Sequence, residues 1–150
     1  MKTIRISTKQ AEEFFRNEVL FEESRIDGYT LEDMVTILTG EEYKYVSSQL
    51  DGIIIAVTAY KKDSKGPSAE VHTFVLPEHR KHSIEALKSH VEYFKREKIN
   101  YLFTTCSNHN KKVINFLTKR LGFTIYEVFG VPNTKDGKPV TLYDLMKVVV

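Results

Sequence analysis

A chain of 150 residues can enclose one hydrophobic core of useful size and leaves no room for two. With 41% apolar and 28% charged residues it falls outside the disordered class, and a formal charge of +2 is too small to carry nucleic-acid binding by itself. The single cysteine, Cys106, excludes an internal disulfide and a cysteine-based zinc site and fits a reducing cytosol. The opening MKTIRIST has no apolar stretch of signal length, and no apolar run approaches the roughly 18 residues of a membrane span. A cytoplasmic protein of one domain, residues 1–150, with no membrane partner is expected.

Thr3–Ile6 alternates and predicts an edge strand. Ser7 with Gln10 forms a capping box before a helix whose apolar stripe is Ala11, Phe14 and Phe15. Glu22–Tyr29 has little periodicity and reads as a loop, and Thr30-Leu-Glu-Asp33 opens a second helix that ends near Gly40. YKYVSSQL, Asp51-Gly52 and IIIAVTAY predict a hairpin, the nearly all-apolar Ile53–Tyr60 being a central strand buried on both faces. The charged loop 61–68 leads to a strand over Ala69–Leu76, a turn at Pro77, a basic stretch HRKH (79–82) and an amphipathic helix Ile84–Arg96.

INYLFTTC (99–106) follows as a strand parallel to Ala69–Leu76 through a right-handed crossover. A polar loop, 107–110, precedes the helix Lys111–Leu121, which stops at Gly122 and whose Lys and Arg residues form a solvated face. FTIYEVFGV and VTLYDLMKVVV close the chain around the turn PNTKDGKP. The order β-α-α-β-β-β-α-β-α-β-β predicts an α/β (α+β) fold with a mixed sheet of six to seven strands and helices on both faces. A strand running into a helix start offers backbone N–H groups and a positive helix end to an anionic ligand.

Glu70 and His72 share one face of the strand at i, i+2, and imidazole is the side chain suited to proton transfer near neutrality. For Glu70 a solvated residue at a strand start is the favoured reading, and His72 fits a hydrogen-bonded sheet histidine as well as it fits proton transfer. His82 and His90 are expected to be solvated, and the five histidines show no metal-ligand spacing, so no metal is expected. Cys106 reads as a small buried hydrophobe.

FVLPEHRKHSIEAL, Asn110 followed by an apolar helix and Leu121-Gly122-Phe123, and the closing strand VTLYDLMK together resemble the GNAT superfamily of N-acetyltransferases. The resemblance covers most of the chain in element order and is most specific over Ala69–Phe123. It implies a GNAT fold, acetyl-CoA as co-substrate and an amine acceptor as partner. Within the implied acyl-CoA loop, Val75, Leu76, Arg80, Lys81, His82 and Ser83 are the candidate contacts, Asn110 is a candidate contact to the pantetheine arm, and a backbone N–H near Val75 or Leu76 would polarise the thioester carbonyl.

In the same implied mechanism Glu70 or His72 is the base. The family's two loop glycines fall on Ser83, which is small and can cap the helix, and on Glu85. A carboxylate ~4 Å from a phosphate charge costs ~4 kcal/mol at an effective dielectric of ~20. Equally, an acidic residue in a helix's first turn balances the dipole with no ligand present.

The leaving-group tyrosine of the family falls on Thr118, a far weaker acid, leaving Tyr126 and Tyr143 as substitutes. Two functions are therefore expected: an acetyl-CoA-dependent N-acetyltransferase, or a non-catalytic GNAT-fold protein like the small virion-morphogenesis proteins of bacteriophages. A nucleic-acid module built on the basic turn ranks third. Acceptor choice is assigned to Gln10–Leu38 and loop 132–139, and the exposed edges of the closing strands suggest a homodimer.

Overall fold

The computed structural model describes residues 1–149. Seven strands, β1 (Lys2–Ile6), β2 (Lys44–Leu50), β3 (Ile53–Lys62), β4 (Ser68–Val75), β5 (Tyr101–Ser107), β6 (Thr124–Lys135) and β7 (Lys138–Val148), form one sheet in the order β1-β2-β3-β4-β5-β7-β6. Five α-helices accompany them: α1 (Thr8–Phe15), α2 (Glu18–Ser24), α3 (Leu31–Leu38), α4 (Ser83–Arg96) and α5 (Lys111–Arg120). This is the mixed α/β sheet expected, with β4 and β5 its parallel neighbours among otherwise antiparallel pairs.

The one element missing from the sequence reading is α2. Asn17 caps it by accepting from Val19 and Leu20 N–H, and Leu20 anchors it in the core, so Glu22–Ser24 are helical rather than loop. The capping boxes at Ser7/Gln10 and Thr30/Asp33 form as expected. The Asp51–Gly52 turn has both residues at positive φ, +51° and +80°, the geometry that lets a two-residue loop match strand twist. At the other end of the chain the loop expected over 132–139 is shorter: β6 continues to Lys135, and Asp136–Gly137 alone make the turn.

Each sheet face has its own core. On one face α1, α2 and α3 pack Ala11, Phe15, Leu20, Val35 and Leu38 against Tyr45, Val57 and Ala59, with Phe74 and Leu76 beside them. On the other, α4 and α5 pack Leu87, Phe94 and Leu117 against Val46, Ile55, Val71, Leu102 and Leu145. The first face will be called the front; its helices cover strands β1 to β4 and leave β5, β7 and β6 open.

His90 departs from its expected solvated position, being 1% exposed inside the back core. Its Nδ1 meets Thr58 Oγ1 at 2.8 Å and its Nε2 meets Ser48 Oγ at 2.9 Å, so both ring nitrogens are satisfied by neutral hydroxyls. Burial without a carboxylate nearby lowers the imidazole to about 4. Below the unfolded value near 6.5 the unfolded chain binds a proton that the folded chain refuses. This contribution is complete above pH ~6.5 and lost as pH falls toward 4, amounting to ~3 kcal/mol. In His90→Gln, the urea-unfolding stability is expected to lose most of its slope between pH 6.5 and 4.

Candidate functional site

β4 and β5 are joined for only three residue pairs, Ser68–Tyr101, Ala69–Leu102 and Glu70–Phe103. Beyond them β4 runs on to Val75 and β5 to Ser107 with no pairing between them, so the sheet splits into a wedge. Hydrogen-bond alternation decides what faces this wedge. Leu76 N–H donates to Ile55 O across to β3 at 2.9 Å, and Pro67 O accepts from Tyr101 N–H on the β5 side. Odd-numbered residues of β4 therefore turn their backbone toward β5, which places the N–H groups of Thr73 and Val75 in the wedge. The Leu76 N–H proposed from sequence is already engaged; the Val75 N–H is the one that opens into the gap.

On the front face at the foot of the wedge stands a cluster of three side chains. His72 Nε2 lies 2.8 Å from Glu70 Oε2, and the Tyr43 hydroxyl donates to the same carboxylate oxygen while lying 3.3 Å from His72 Nε2. An ionised carboxylate only accepts, so Nε2 carries the hydrogen, and Nδ1 is left without a protein partner among the described residues. Burial pushes Glu70 upward, but the hydrogen bonds from Tyr43 and His72 outweigh it, and the charge of Lys61 adds to them, so Glu70 sits below the usual carboxylate range. Burial and the Glu70 hydrogen bond both raise Tyr43, which remains a protonated donor. Glu70 is thus a held anion, and Nδ1 of His72 is the unpartnered ring nitrogen beside it.

Tyr43 was not among the expected site residues. It precedes β2, and continuing the β2–β3 register sets it beside Lys61, whose partner across β3–β4 is Glu70. Lys61 Nζ lies 5.3 Å from the Tyr43 ring centre and 3.5 Å from Glu42.

The chain leaves β4 through a 3-10 turn, Pro77–His82, that runs directly into α4. Arg80 donates from Nε to Val75 O at 3.1 Å and clasps both Glu23 oxygens, at 2.8 and 3.1 Å. It therefore braces the loop against α2 instead of standing free. Lys81 is exposed, His82 is half-buried, and Ser83 is the first residue of α4. Ser83 does not cap that helix: the cap position belongs to His82, and no side chain bonds the first amides of α4. The Ser83 N–H already donates to Arg80 O in the preceding 3-10 turn, so what α4 offers an anion is the positive end of a helix that no side chain caps. Glu85 lies in the same first turn, exposed and without an ion pair among the described residues. Asn110 occupies the cap position of α5 but makes no capping bond, and its side-chain amide has no partner among the described residues.

The hydroxyl of Thr118 is turned onto Ile114 O at 2.9 Å, within its own helix. Of the two tyrosines expected to substitute for it, Tyr143 packs against the back core beside Cys106, whereas Tyr126 faces forward onto Phe103. Cys106 is held up at about 11 by burial, the behaviour of an inert thiol.

A cleft of about 760 Å³ opens on the front face from Glu70 and His72 across Phe103 and Thr105 to Tyr126 and Asp144. The loop between α2 and α3 is clasped to the β6–β7 turn. Asp27 accepts from the N–H groups of Asp136 and Gly137, each at 3.0 Å, and from the Thr134 hydroxyl at 2.7 Å, while its own N–H donates to Thr134 O. The Gly137 N–H, then the Thr134 hydroxyl and Asp136 N–H, hold Asp27 far below the usual carboxylate range. The clasp therefore persists until the pH falls below that range. The two segments assigned to acceptor choice are thus one connected structure. Asp27→Ala is expected to speed amide hydrogen exchange at Asp136 and Gly137 at least tenfold while leaving β3 protected, as measured residue by residue.

The profile of the acetyltransferase (GNAT) family matches residues 7–123. No curated protein matches the sequence at a significant level. Among solved structures, the chain superposes on yncA of Salmonella typhimurium, determined with its cofactor acetyl-CoA, with a TM-score of 0.72 and 16% identity over 100% of this chain and 94% of that one. The ribosomal-protein-S18-alanine N-acetyltransferase of Escherichia coli gives a TM-score of 0.70 and 15% identity over 99% and 93%. The ribosomal-protein-alanine N-acetyltransferase of Brucella melitensis gives 0.72 and 14% over 99% of both chains. Identities this low compare folds and not substrates. A family match over residues 7–123, on a sheet split between β4 and β5, shows that this chain belongs to the acetyltransferase (GNAT) family.

Proposed function

We propose that this protein transfers an acetyl group from acetyl-CoA to an amine. The observation that carries the reading is the Tyr43–Glu70–His72 cluster at the foot of the wedge, because it supplies a base with an oriented free nitrogen beside an opening in the sheet. Acetyl-CoA would supply an activated acetyl thioester. The positive end of α4, which no side chain caps, with Lys81 and His82 beside it, fits its pyrophosphate, and Asn110 fits its pantetheine arm. The loop and Glu70 are separated by about 16 Å of strand, so only a long, thin carrier satisfies both ends.

The roles of the chain's own groups follow from their chemistry. His72 Nδ1 takes the proton that an incoming ammonium must lose, and the Glu70 anion stabilises the imidazolium so formed. Tyr43 fixes the carboxylate and keeps it ionised. The Val75 N–H, and that of Thr73, favour negative charge developing on an oxygen in the wedge. The test is release of free thiol from acetyl-CoA that depends on added amine, with the acetylated amine identified by mass. Amine-independent thiol release alone would contradict transfer.

A second reading, a GNAT fold without acetyl transfer, is favoured by two residues in particular. Glu85 puts a charge in the first turn of α4, and Arg80 is already neutralised by Glu23. On that reading both ion arrangements substitute for a phosphate.

A further inference from the structure

The cleft that begins at Glu70 has a second acidic end with no cation paired to it among the described residues. The β6–β7 register sets Glu127 directly opposite Asp144. Like charges facing each other across a sheet are destabilising. Asp144 accepts the Thr105 hydroxyl on Oδ1 at 2.7 Å, and among the described residues neither Asp144 nor Glu127 has an ion pair. The two lysines of the cleft, Lys61 and Lys62, belong to its other end, where Lys61 is held by Glu42 and Tyr43.

An aromatic pair stands beside this charge. A register shift between Ile125 and Glu127 makes Tyr126 the bulged residue, and the bulge aims its ring forward onto Phe103, 6.0 Å away and edge to face at 87°. Burial, then the charges of Asp144 and Glu127, hold the Tyr126 phenol up, which marks the local potential as negative. A carboxylate beside an exposed aromatic ring, here Tyr126 on the half-buried Phe103, is the chemistry that recognises an organic cation. The spacing follows from the ladder. Glu70 pairs with Phe103 on the next strand, and Asp144 lies one strand further on, opposite Thr105. Two strand separations and a two-residue offset put the two carboxylates about 12 Å apart.

We propose that Asp144, with Tyr126 and Phe103, recognises the distal ammonium of an elongated α,ω-diamine while the proximal amine lies at Glu70 and His72. The proposal rests on the amine-acetylation reading and narrows its acceptor to a linear dication. The aromatic pair packs on the methylene chain, and Asp144 accepts from the far ammonium.

The test titrates 1,8-diaminooctane and octylamine into the full chain, with and without coenzyme A, followed by ligand-observed NMR. The diamine is expected to bind on the order of tenfold to a hundredfold more tightly than the monoamine. Asp144→Asn keeps an acceptor for Thr105 and is expected to collapse that ratio to near unity, with Asp144→Glu restoring part of it. Equal affinities in the unmodified protein, or a ratio that survives Asp144→Asn, would overturn the proposal. The titration reads binding alone, so the two ideas separate. Acetylation of both amines with no diamine preference sinks the subsite and keeps the activity. A diamine preference without acetylation does the reverse.

Discussion

Replacing His72 by alanine is expected to lower kcat for acetyl transfer about 10²- to 10⁴-fold, the range a positioned general base supplies. Glu70→Gln should cost about 10²-fold. The amide still accepts the Nε2–H, so the ring orientation survives, but the charge that stabilises the imidazolium is gone. Tyr43→Phe removes one of the two hydrogen bonds that hold Glu70 below its usual range, so the carboxylate pKa should rise and the rate fall about tenfold. Because the three act as a unit, the Glu70→Gln/His72→Ala double variant should be no slower than His72→Ala alone. Single-turnover rates at saturating acetyl-CoA check each value. A His72→Ala rate within about threefold of the parent would remove His72 from the role of base.

Phe15→Ala is expected to destabilise the fold by about 3–5 kcal/mol, a large part of the ~5–15 kcal/mol available to a domain of this size. Phe15 is fully buried, edge-on to Phe14, Tyr45 and Phe74 at 5.8, 6.2 and 5.4 Å. Its removal leaves a cavity walled by Phe14 from α1 and by Tyr45 and Phe74 from the sheet. Phe74 follows His72 on the front face of β4, so the loss should also loosen the front of the wedge. The urea midpoint should fall with little change in slope. Ile37→Ala, at a residue 54% exposed, should cost about 0.5 kcal/mol or less and serves as the comparison.

Periodicity and caps were enough to read the sheet, four of the five helices and the strand–turn–helix passage at Ala69–Arg96. They missed α2 because its seven residues, EVLFEES, are too short to show a period and its cap, Asn17, lacks a capping-box partner. Glu70 and His72 were legible as a pair since i, i+2 on a strand needs no tertiary information. Tyr43 was not, and the reason is a single bulge. Counting back from the Asp51–Gly52 turn pairs Tyr43 with Tyr60, on the back face. The shift between Ser48 and Gln49 moves the register by one residue and sends Tyr43 to the front.

His90 misled for the opposite reason. It lies on the buried stripe with Ala86, Leu87 and Phe94, and only the hydroxyls of Ser48 and Thr58, two strands away in sequence, make that position tolerable. Arg80 kept its family position, yet its partner Glu23 lies in the helix the sequence concealed.

Calorimetric titration with acetyl-CoA tests the central claim most directly, run on the unmodified chain and on Glu85→Gly. The account predicts saturable one-site binding by the unmodified chain, with a gain for Glu85→Gly of up to about 10³-fold, the effect of one unscreened carboxylate beside a phosphate. No heat of binding from the unmodified chain up to millimolar acetyl-CoA, with binding appearing only in Glu85→Gly, would contradict it and leave a GNAT fold that no longer holds the cofactor.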